Sequence, residues 1–527
     1  MKEYTRILGQ YAAQLNYEDL PADAVEQAKK IILHTIGVSI ASTKMSPTAN
    51  AAALAASRGS CAQATLWGAP SVRVAAADAV YANGAASDVL DWEDCTWTGH
   101  ASAGAIPASF AYGEQTHAAG RDVITAIVAA YEVYQRIAMA VQPEFDSYLA
   151  QGRGWGLVNW QVFASAVAAG KLLGLDAAQM AACISLAAYQ APTLMGKDGD
   201  GDIYHYAHGI AGRSGAESAE ITKQGFEYYY DGLEGDTGYW LYVSNKCDWD
   251  WLDKDLGKTF YINETLLKHW PANVWVQAPL DGLHNICTRE KLTLADIEKV
   301  RVSPIIDIIS AENPLPMGLI QAEYSLPHCF ACYLSGKKPS EDWYSLESRS
   351  SKELCELSGI VEYFGPQANR LHMFEVFWQG TFPETTVEVA CKDGRTFRET
   401  LRCPKGHPRN NFTLREEQEF FVARAADFIG RENAEAFAAG VAHLEACTDL
   451  NELTALPLIE RDAYAGTGIA APGPGVFAGK QRGHPSGPRR AGGDSQRGRA
   501  AGARGALRPR PPPSAGRRPG HCPAHGL

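Results

Sequence analysis

The sequence has no uninterrupted apolar run of membrane-spanning length: its longest, VITAIVAAYEVYQRIAMAV from Val123, carries Glu132 and Arg136 inside it and reads as a buried helix. A secretory signal is not expected either, because MKEYTRILGQYAAQL reads as an amphipathic helix start with neither a long apolar core nor a cleavage pattern. Regular cysteine spacing is absent too. The twelve cysteines are scattered, which excludes a disulfide framework and fits reduced thiols of a cytoplasmic protein. One pair, Cys329 and Cys332, has CxxC spacing, but with no second pair nearby and a helical setting it reads as two helical thiols. The triplet Asp198, Asp200, Asp202 lacks the glycine that a calcium loop needs next and has Gly209 where its bidentate glutamate should stand. No metal and no cofactor are expected.

What is present is ordinary globular composition, 46% hydrophobic and 20% charged, over 527 residues, enough for at least two domains. The net charge of −12 hides a split. From Gly466 onward there are one lysine, ten arginines and one aspartate, a net of +10, which leaves −22 for the first 465 residues. That Gly/Pro/Arg-rich stretch is almost free of large apolar side chains and is expected to be disordered. Without interleaved aromatics, and beside an acidic body, it does not read as a nucleic-acid-binding arm. Its abrupt composition resembles a GC-rich gene read out of frame.

Along the chain, Ala-rich segments with apolar residues at helical spacing run from Asp19 to about Gly225. Val25, Ala28, Ile31, Ile32 and Val38 fall near one face of the first, with Pro21 near its start; Phe163, Val167, Leu172 and Leu173 belong to another that stops at Gly174. The pattern then changes. KLTLADIEKVRVSPI reads as a short helix start followed by an alternating strand, and TTVEVACKDGRTFRETL as two strands joined at Lys392-Asp393-Gly394. Helical spacing returns from Thr413. The fold class is therefore mostly α: a large all-helical, discontinuous domain with a smaller α+β domain. The expected division is 1–266 helical, 267–404 α+β lid, 405–460 helical again and 461–527 disordered. The aromatic run Tyr228, Tyr229, Tyr230, Tyr239, Trp240, Tyr242, Trp249 and Trp251 reads as core and dimer packing.

The stretch most informative about function is NGAASDVLDWEDCTWTGHASAGAIP, Asn83 to Pro107. It concentrates carboxylates, hydroxyls and a histidine in a segment poor in core-sized side chains. Such groups are costly to bury without partners, so the cluster points to a polar site; the alternative is a solvated acidic loop ahead of a helix. Asp91 and His100, nine residues apart, can serve one proton-transfer site.

This stretch resembles the signature of the MmgE/PrpD family, in which NG is followed by a histidine, DFDD, a hydroxyl residue and HPS before a proline-containing helix. Other pieces follow the family's order: LPADAVEQAKKIILHTIGV from Leu20, AAYEVYQRI from Ala129, GWGLVNWQVFASAVAAGKLLGL from Gly154 and GIAGRSGAESAEITKQGFE from Gly209. LKHWPANVWVQAPLDGL from Leu267, AEYSLPHCFACYLSG from Ala322 and KGHPRNNFT from Lys405 complete the set. The resemblance implies a helical domain, an α+β lid and a homodimer built on the helical part. It also implies cofactor-independent chemistry on small polycarboxylic acids, such as dehydration, decarboxylation or epimerisation, in which a proton moves at a carbon beside a carboxylate.

Residue by residue, Asp91 matches the first aspartate of DFDD and His100 the histidine of HPS, although Ala101 replaces its proline. Cys95 or Thr96 occupies the hydroxyl position, Thr96 being chemically closer, and Lys268 matches the lysine of a K-x-x-P motif that would hold a substrate carboxylate. Four positions depart from the family. Gly156, with Asn159 nearby, stands where a histidine is usual, Tyr204 where the decarboxylases have a lysine, Asp88 where a histidine follows NG, and His328 where a tyrosine is usual. His328 would act as a replacement acid/base, or else is a helix histidine bonded to a backbone carbonyl. The expected site therefore has Asp91, His100 and His328 as catalytic residues and Thr96, Lys268 and Tyr204 as substrate-binding ones. The expected activity is that of a lyase, a dehydratase of a small hydroxy-carboxylic acid. The alternatives are an epimerase or isomerase using the same proton abstraction, and a non-catalytic homologue. No nucleic-acid or membrane partner is expected, and a cytoplasmic location is.

Overall fold

Helices packed at backbone contact distance dominate the structure, a computed structural model that describes residues 2–59, 61–67, 72–141, 160–191, 203–226, 229–244, 246–310, 315–368 and 382–455. Residues 1–475 cluster as one compact unit. In its first part run α1 (Tyr4–Gln14), α2 (Ala22–Ala41), α3 (Ser46–Ser57), α4 (Ala76–Ala86), α5 (Ser102–Thr116) and α6 (Gly120–Val141). They are followed by α7 (Gln161–Leu172), α8 (Ala177–Gln190) and α9 (Ile203–Gln224). Small residues permit the close packing: a Cβ on Gly209 of α9 would lie 2.2 Å from the Tyr81 carbonyl of α4, and one on Gly215 would lie 2.1 Å from the Val162 carbonyl of α7. The first contact fixes α9 against α4, and with it the side chains α9 carries toward the end of α4; the second fixes α9 against α7.

Helix α2 departs from the one-faced pattern expected of it. Pro21 stands at its N-cap, but sixteen of its twenty residues are buried, from Ala24 through Ala41. The reason is that α12 (Leu414–Ile429), returning from the far end of the sequence, covers its other side together with α6. Helix α6 is long and apolar enough to cross a membrane, yet it is buried from Val123 to Val141, with Arg136 and Glu132 paired at 3.5 Å inside the protein. The helix through Phe163 ends where expected, with Gly174 in the left-handed region at φ +69°.

The α+β part contains α10 (Val274–Glu290), α11 (Leu326–Leu334) and a four-stranded sheet of order β6-β5-β7-β8, where β5 is Ile297–Ser303, β6 Val361–Tyr363, β7 Thr385–Cys391 and β8 Thr396–Leu401. Strands β5 and β6 are parallel and the other pairs antiparallel, with Val300 opposite Val389 and Val302 opposite Val387. The β7–β8 hairpin turns at Lys392-Asp393-Gly394, Gly394 taking φ +89°. Ahead of β5 the expected helix start is instead a turn, because Asp296 accepts from both the backbone and the hydroxyl of Thr293.

Two apolar cores result. One unites α1 to α9 with α12 and α13 (Arg431–Ala442); the other joins α10, α11 and the sheet, and also takes in Val89, Leu90, Trp92 and Cys95 from the loop after α4. Cys329 and Cys332 lie on α11 as free thiols. Of the aromatic run, Tyr239 is buried, Trp240 and Trp249 meet at 5.8 Å, and Tyr229 and Tyr242 are exposed. Tyr228, Gly156, Asn159, the Asp198–Asp202 triplet and residues 456–527 lie outside the described residues.

Candidate active site

The loop after α4 is not a solvated acidic face. Asp88, Asp91, Glu93, Asp94 and His100 are all buried, none more than 6% exposed. Asn83 does not join them, since its amide is spent on the Trp67 N–H and the Thr65 carbonyl. After Ala86 the chain turns through Asp88, whose carbonyl accepts from Asp91 N at 2.9 Å, and Asp91 adopts a left-handed φ of +45°. A non-glycine residue held in that region stores strain, which persists only where surrounding structure enforces it. Trp92 provides the enforcement. Its carbonyl accepts from His34 Nε2 at 2.7 Å, its indole donates to the His269 carbonyl at 3.1 Å, and the Arg424 guanidinium lies over its ring at 4.4 Å.

A two-residue pairing then brings in the distant lysine. β3 (Asp94–Cys95) lies antiparallel to β4 (Leu266–Leu267), setting Asp94 opposite Leu267. Lys268 follows directly, fully buried, and donates to Asp91 Oδ1 and to Glu93 Oε1. Gly406 backs the strand: its carbonyl accepts from Leu267 N at 3.0 Å, and a Cβ there would sit 1.8 Å from the Leu267 carbonyl.

His100 Nδ1 lies 2.9 Å from Glu93 Oε1 and 2.8 Å from the Asp94 carbonyl. Both are acceptors, so Nδ1 carries a proton and Nε2 is the nitrogen left for exchange. Asp94 itself is structural, its carboxylate accepting from Ser102 N at the start of α5 and from the Tyr131 hydroxyl at 2.7 Å. Burial works to raise Glu93, but Lys268 and His100 outweigh it and hold that carboxyl well below the ordinary range. Burial works to lower His100, and the Glu93 carboxylate overcomes it, pushing the imidazole up to about 9. Burial raises Asp91 in spite of Lys268, and Lys268 is itself raised against burial by Asp91 and Glu93. Near neutrality this gives an ammonium and an imidazolium facing the Asp91 and Glu93 carboxyls.

Across from them stands a second set that the motif comparison had not marked as functional. His205 Nδ1 lies 2.8 Å from Asp88 Oδ2, its Nε2 is 3.9 Å from Glu323 Oε2, and His208 Nε2 is 3.3 Å from Asp88 Oδ1. Burial, then Glu93, raises Asp88 well above the ordinary range, while burial, then His100, lowers His208 well below it, so both shifts favour the uncharged forms. Gln161 ties the two sides together, its amide donating to the His100 carbonyl and lying 3.3 Å from His208 Nδ1. Five buried atoms here, Asp88 Oδ1, Asp91 Oδ2, Glu93 Oε2, His208 Nε2 and Glu323 Oε1, make no hydrogen bond among the described residues. Orphans of this kind are rare, and their convergence marks a place built for a polar ligand.

Of the expected residues, Asp91, His100 and Lys268 come together here. Tyr204 borders the second set, its ring 5.2 Å from that of His208. Thr96 is buried, but its hydroxyl donates to the Gly99 carbonyl at 3.0 Å and shapes the turn before His100. His328 is not among the groups the cluster gathers: its Nε2 is 2.8 Å from the Trp343 carbonyl and 3.5 Å from Cys332 Sγ, and burial lowers it. That is the backbone-bonded helix histidine of the alternative reading.

Residues 6–252 match the MmgE/PrpD N-terminal domain and residues 270–446 the MmgE/PrpD C-terminal domain. Among curated relatives, the cis-aconitate decarboxylase of Homo sapiens is 24% identical over 450 residues, 82% of this chain and 90% of the relative. The cis-aconitate decarboxylase of Aspergillus terreus (strain NIH 2624 / FGSC A1156) is 29% identical over 423 residues, 75% of this chain and 84% of the relative. The chain belongs to the MmgE/PrpD family, with the lyase-type role of that family.

Proposed function

We propose that this protein eliminates water from a small hydroxy-carboxylic acid, without a cofactor, by first removing a proton from the carbon beside a carboxylate. The observation that carries the reading is the pairing of Lys268 and His100, both cationic, with Asp91 and Glu93 in a site where burial excludes water. A substrate carboxylate entering beside Lys268 takes one of its donors from Asp91. Asp91 is then the base: its carboxyl is raised above the ordinary range, and Oδ2 is free of internal bonds to accept the proton. Lys268 and His100 stabilise the enolate-like charge that develops on the carboxylate, an effect strongest where the dipoles and charges are fixed beforehand.

The relatives are named for cis-aconitate decarboxylation, yet a tricarboxylate fits this cluster poorly. Among the described residues its single ammonium is shared between two carboxyls, and Asp88 and Glu323 add two more acids close by. A substrate with fewer carboxylates and a hydroxyl suits it better. Epimerisation is the second reading, favoured by the presence of ionisable groups on both sides of the cluster.

Incubation of the purified protein in deuterated water with 2-methylcitrate, citrate, cis-aconitate, tartrate and iminodisuccinate, followed by proton NMR, tests this. Elimination shows as loss of a C–H signal with a new alkene. Deuterium uptake with no alkene would establish an epimerase instead, and silence across the panel would leave the elimination reading without support.

A further inference from the structure

Loss of water by the route above leaves one proton unassigned. Asp91 takes a proton from carbon, but a hydroxyl leaving a carbon in a buried site needs a proton from a second group, because free hydroxide is a poor leaving group there. Glu93 is engaged with both Lys268 and His100, and those two cations are needed to hold the enolate-like charge. On the other side of the cluster, three elements bring three ionisable residues together: Asp88 follows α4, His205 lies on α9 and Glu323 ends the one-turn helix Leu319–Glu323. None is more than 1% exposed. His205 joins them, with Nδ1 2.8 Å from Asp88 Oδ2 and Nε2 3.9 Å from Glu323 Oε2, while Asp88 Oδ1 and Glu323 Oε1 make no hydrogen bond among the described residues. Two carboxyls and an imidazole buried together are expensive to maintain, and nothing in the packing of α4 on α9 calls for them.

We propose that Asp88, His205 and Glu323 form the proton-donating side of the site and protonate the hydroxyl that leaves the substrate. The proposal rests on the elimination reading. In the step, the C–H electron pair becomes the second bond of the alkene and the C–O pair departs with the oxygen. That oxygen takes the proton held by the array, so the products are alkene and water. Asp91 ends one proton richer and the array one proton poorer, and exchange with solvent restores both. Burial and the Glu93 charge favour a proton on Asp88, and burial with the Asp91 charge favours one on Glu323.

The test uses the full-length protein and four hydroxy acids, malate, tartrate, citrate and 2-methylcitrate, each paired with the analogue carrying chloride in place of the departing hydroxyl. Chloride leaves as an anion and needs no proton. For Glu323→Gln, His205→Gln and Asp88→Asn, alkene formation from the hydroxy acid is expected to fall by about 100-fold or more, with turnover of the chloro analogue staying near wild type. Retained chloro turnover also reports that a variant is folded. Equal losses on both members of a pair in all three variants, or unchanged turnover of the hydroxy acid, would overturn the proposal while leaving elimination intact. If the wild-type protein forms alkene from none of the four hydroxy acids, the elimination reading falls and the proposal falls with it.

Discussion

Lys268 has no contact with water, so whatever charge it offers a substrate it must withdraw from Asp91 or Glu93. This makes the two sides of the ion cluster respond differently to mutation. Lys268→Met leaves Asp91 buried without its counter-charge and Glu93 with His100 alone, and loss of one partner from a buried pair typically costs about 3–5 kcal/mol. Urea unfolding of that variant should show a loss of this size together with loss of activity. Asp91→Asn keeps the side-chain shape, and asparagine tolerates the left-handed backbone at φ +45°. It removes the base and should reduce turnover by about 100-fold or more with a much smaller change in the urea midpoint. Were Asp91→Asn to keep full turnover on an identified substrate, Asp91 would lose its role. At this scale the sequence was informative where residue types coincide with a family motif, hence Asp91, His100 and Lys268. It was silent on the Asp88–His205 pair, because contacts spanning 117 positions leave no local pattern. His328 misled because it stands where the family has a tyrosine, while the Trp343 carbonyl takes its Nε2.

Lys268 is aimed by an element too short to have a period. Strands β3 and β4 are two residues each, and a two-residue strand shows no alternation, so nothing in the sequence joins Asp94 to Leu267. Longer elements were legible: the β7–β8 hairpin through its Lys-Asp-Gly turn, and the helix through Phe163 through its glycine stop. Helix α2 was legible as a helix but not in its burial, since the helix that covers its outer side lies almost four hundred residues later. Gly406 tests the clamp. It sits at φ +87° with the Leu267 carbonyl where a Cβ would go, so Gly406→Ala must displace β4 or twist its own backbone. Left-handed strain alone costs about 1–2 kcal/mol, and the clash adds to it. The expected outcome is a lowered thermal midpoint with a fall in turnover larger than the stability loss explains. A variant that is destabilised yet fully active when folded would show that β4 does not position Lys268.

On the scale of the whole molecule, the acidic loop is where the helical core and the α+β core meet, since Trp92 and Cys95 pack with the second while α4 belongs to the first. Ionisation at this seam should therefore register in global stability. His100 is raised from 6.5 to about 9, so its contribution is complete below about pH 6.5 and is lost as pH rises through 9. At 1.36 kcal/mol per pKa unit this is at most on the order of 3 kcal/mol. Asp88 and Glu323, also raised, act in the same direction: the native state keeps protons that the unfolded chain has released, so folding is disfavoured as pH climbs toward their native values. Glu93, lowered, contributes above its unfolded value and loses that only on strong acidification, and His208, lowered, disfavours folding only as pH falls below about 6.5. Between pH 7 and 9 the loss of the His100 proton therefore adds to the decline, and stability should fall. Thermal unfolding across that interval should show the decline in the wild type and a flatter profile in His100→Gln, because glutamine has no proton to lose. An equally steep profile in the variant would mean that His100 does not carry the charge the Glu93 pairing assigns to it.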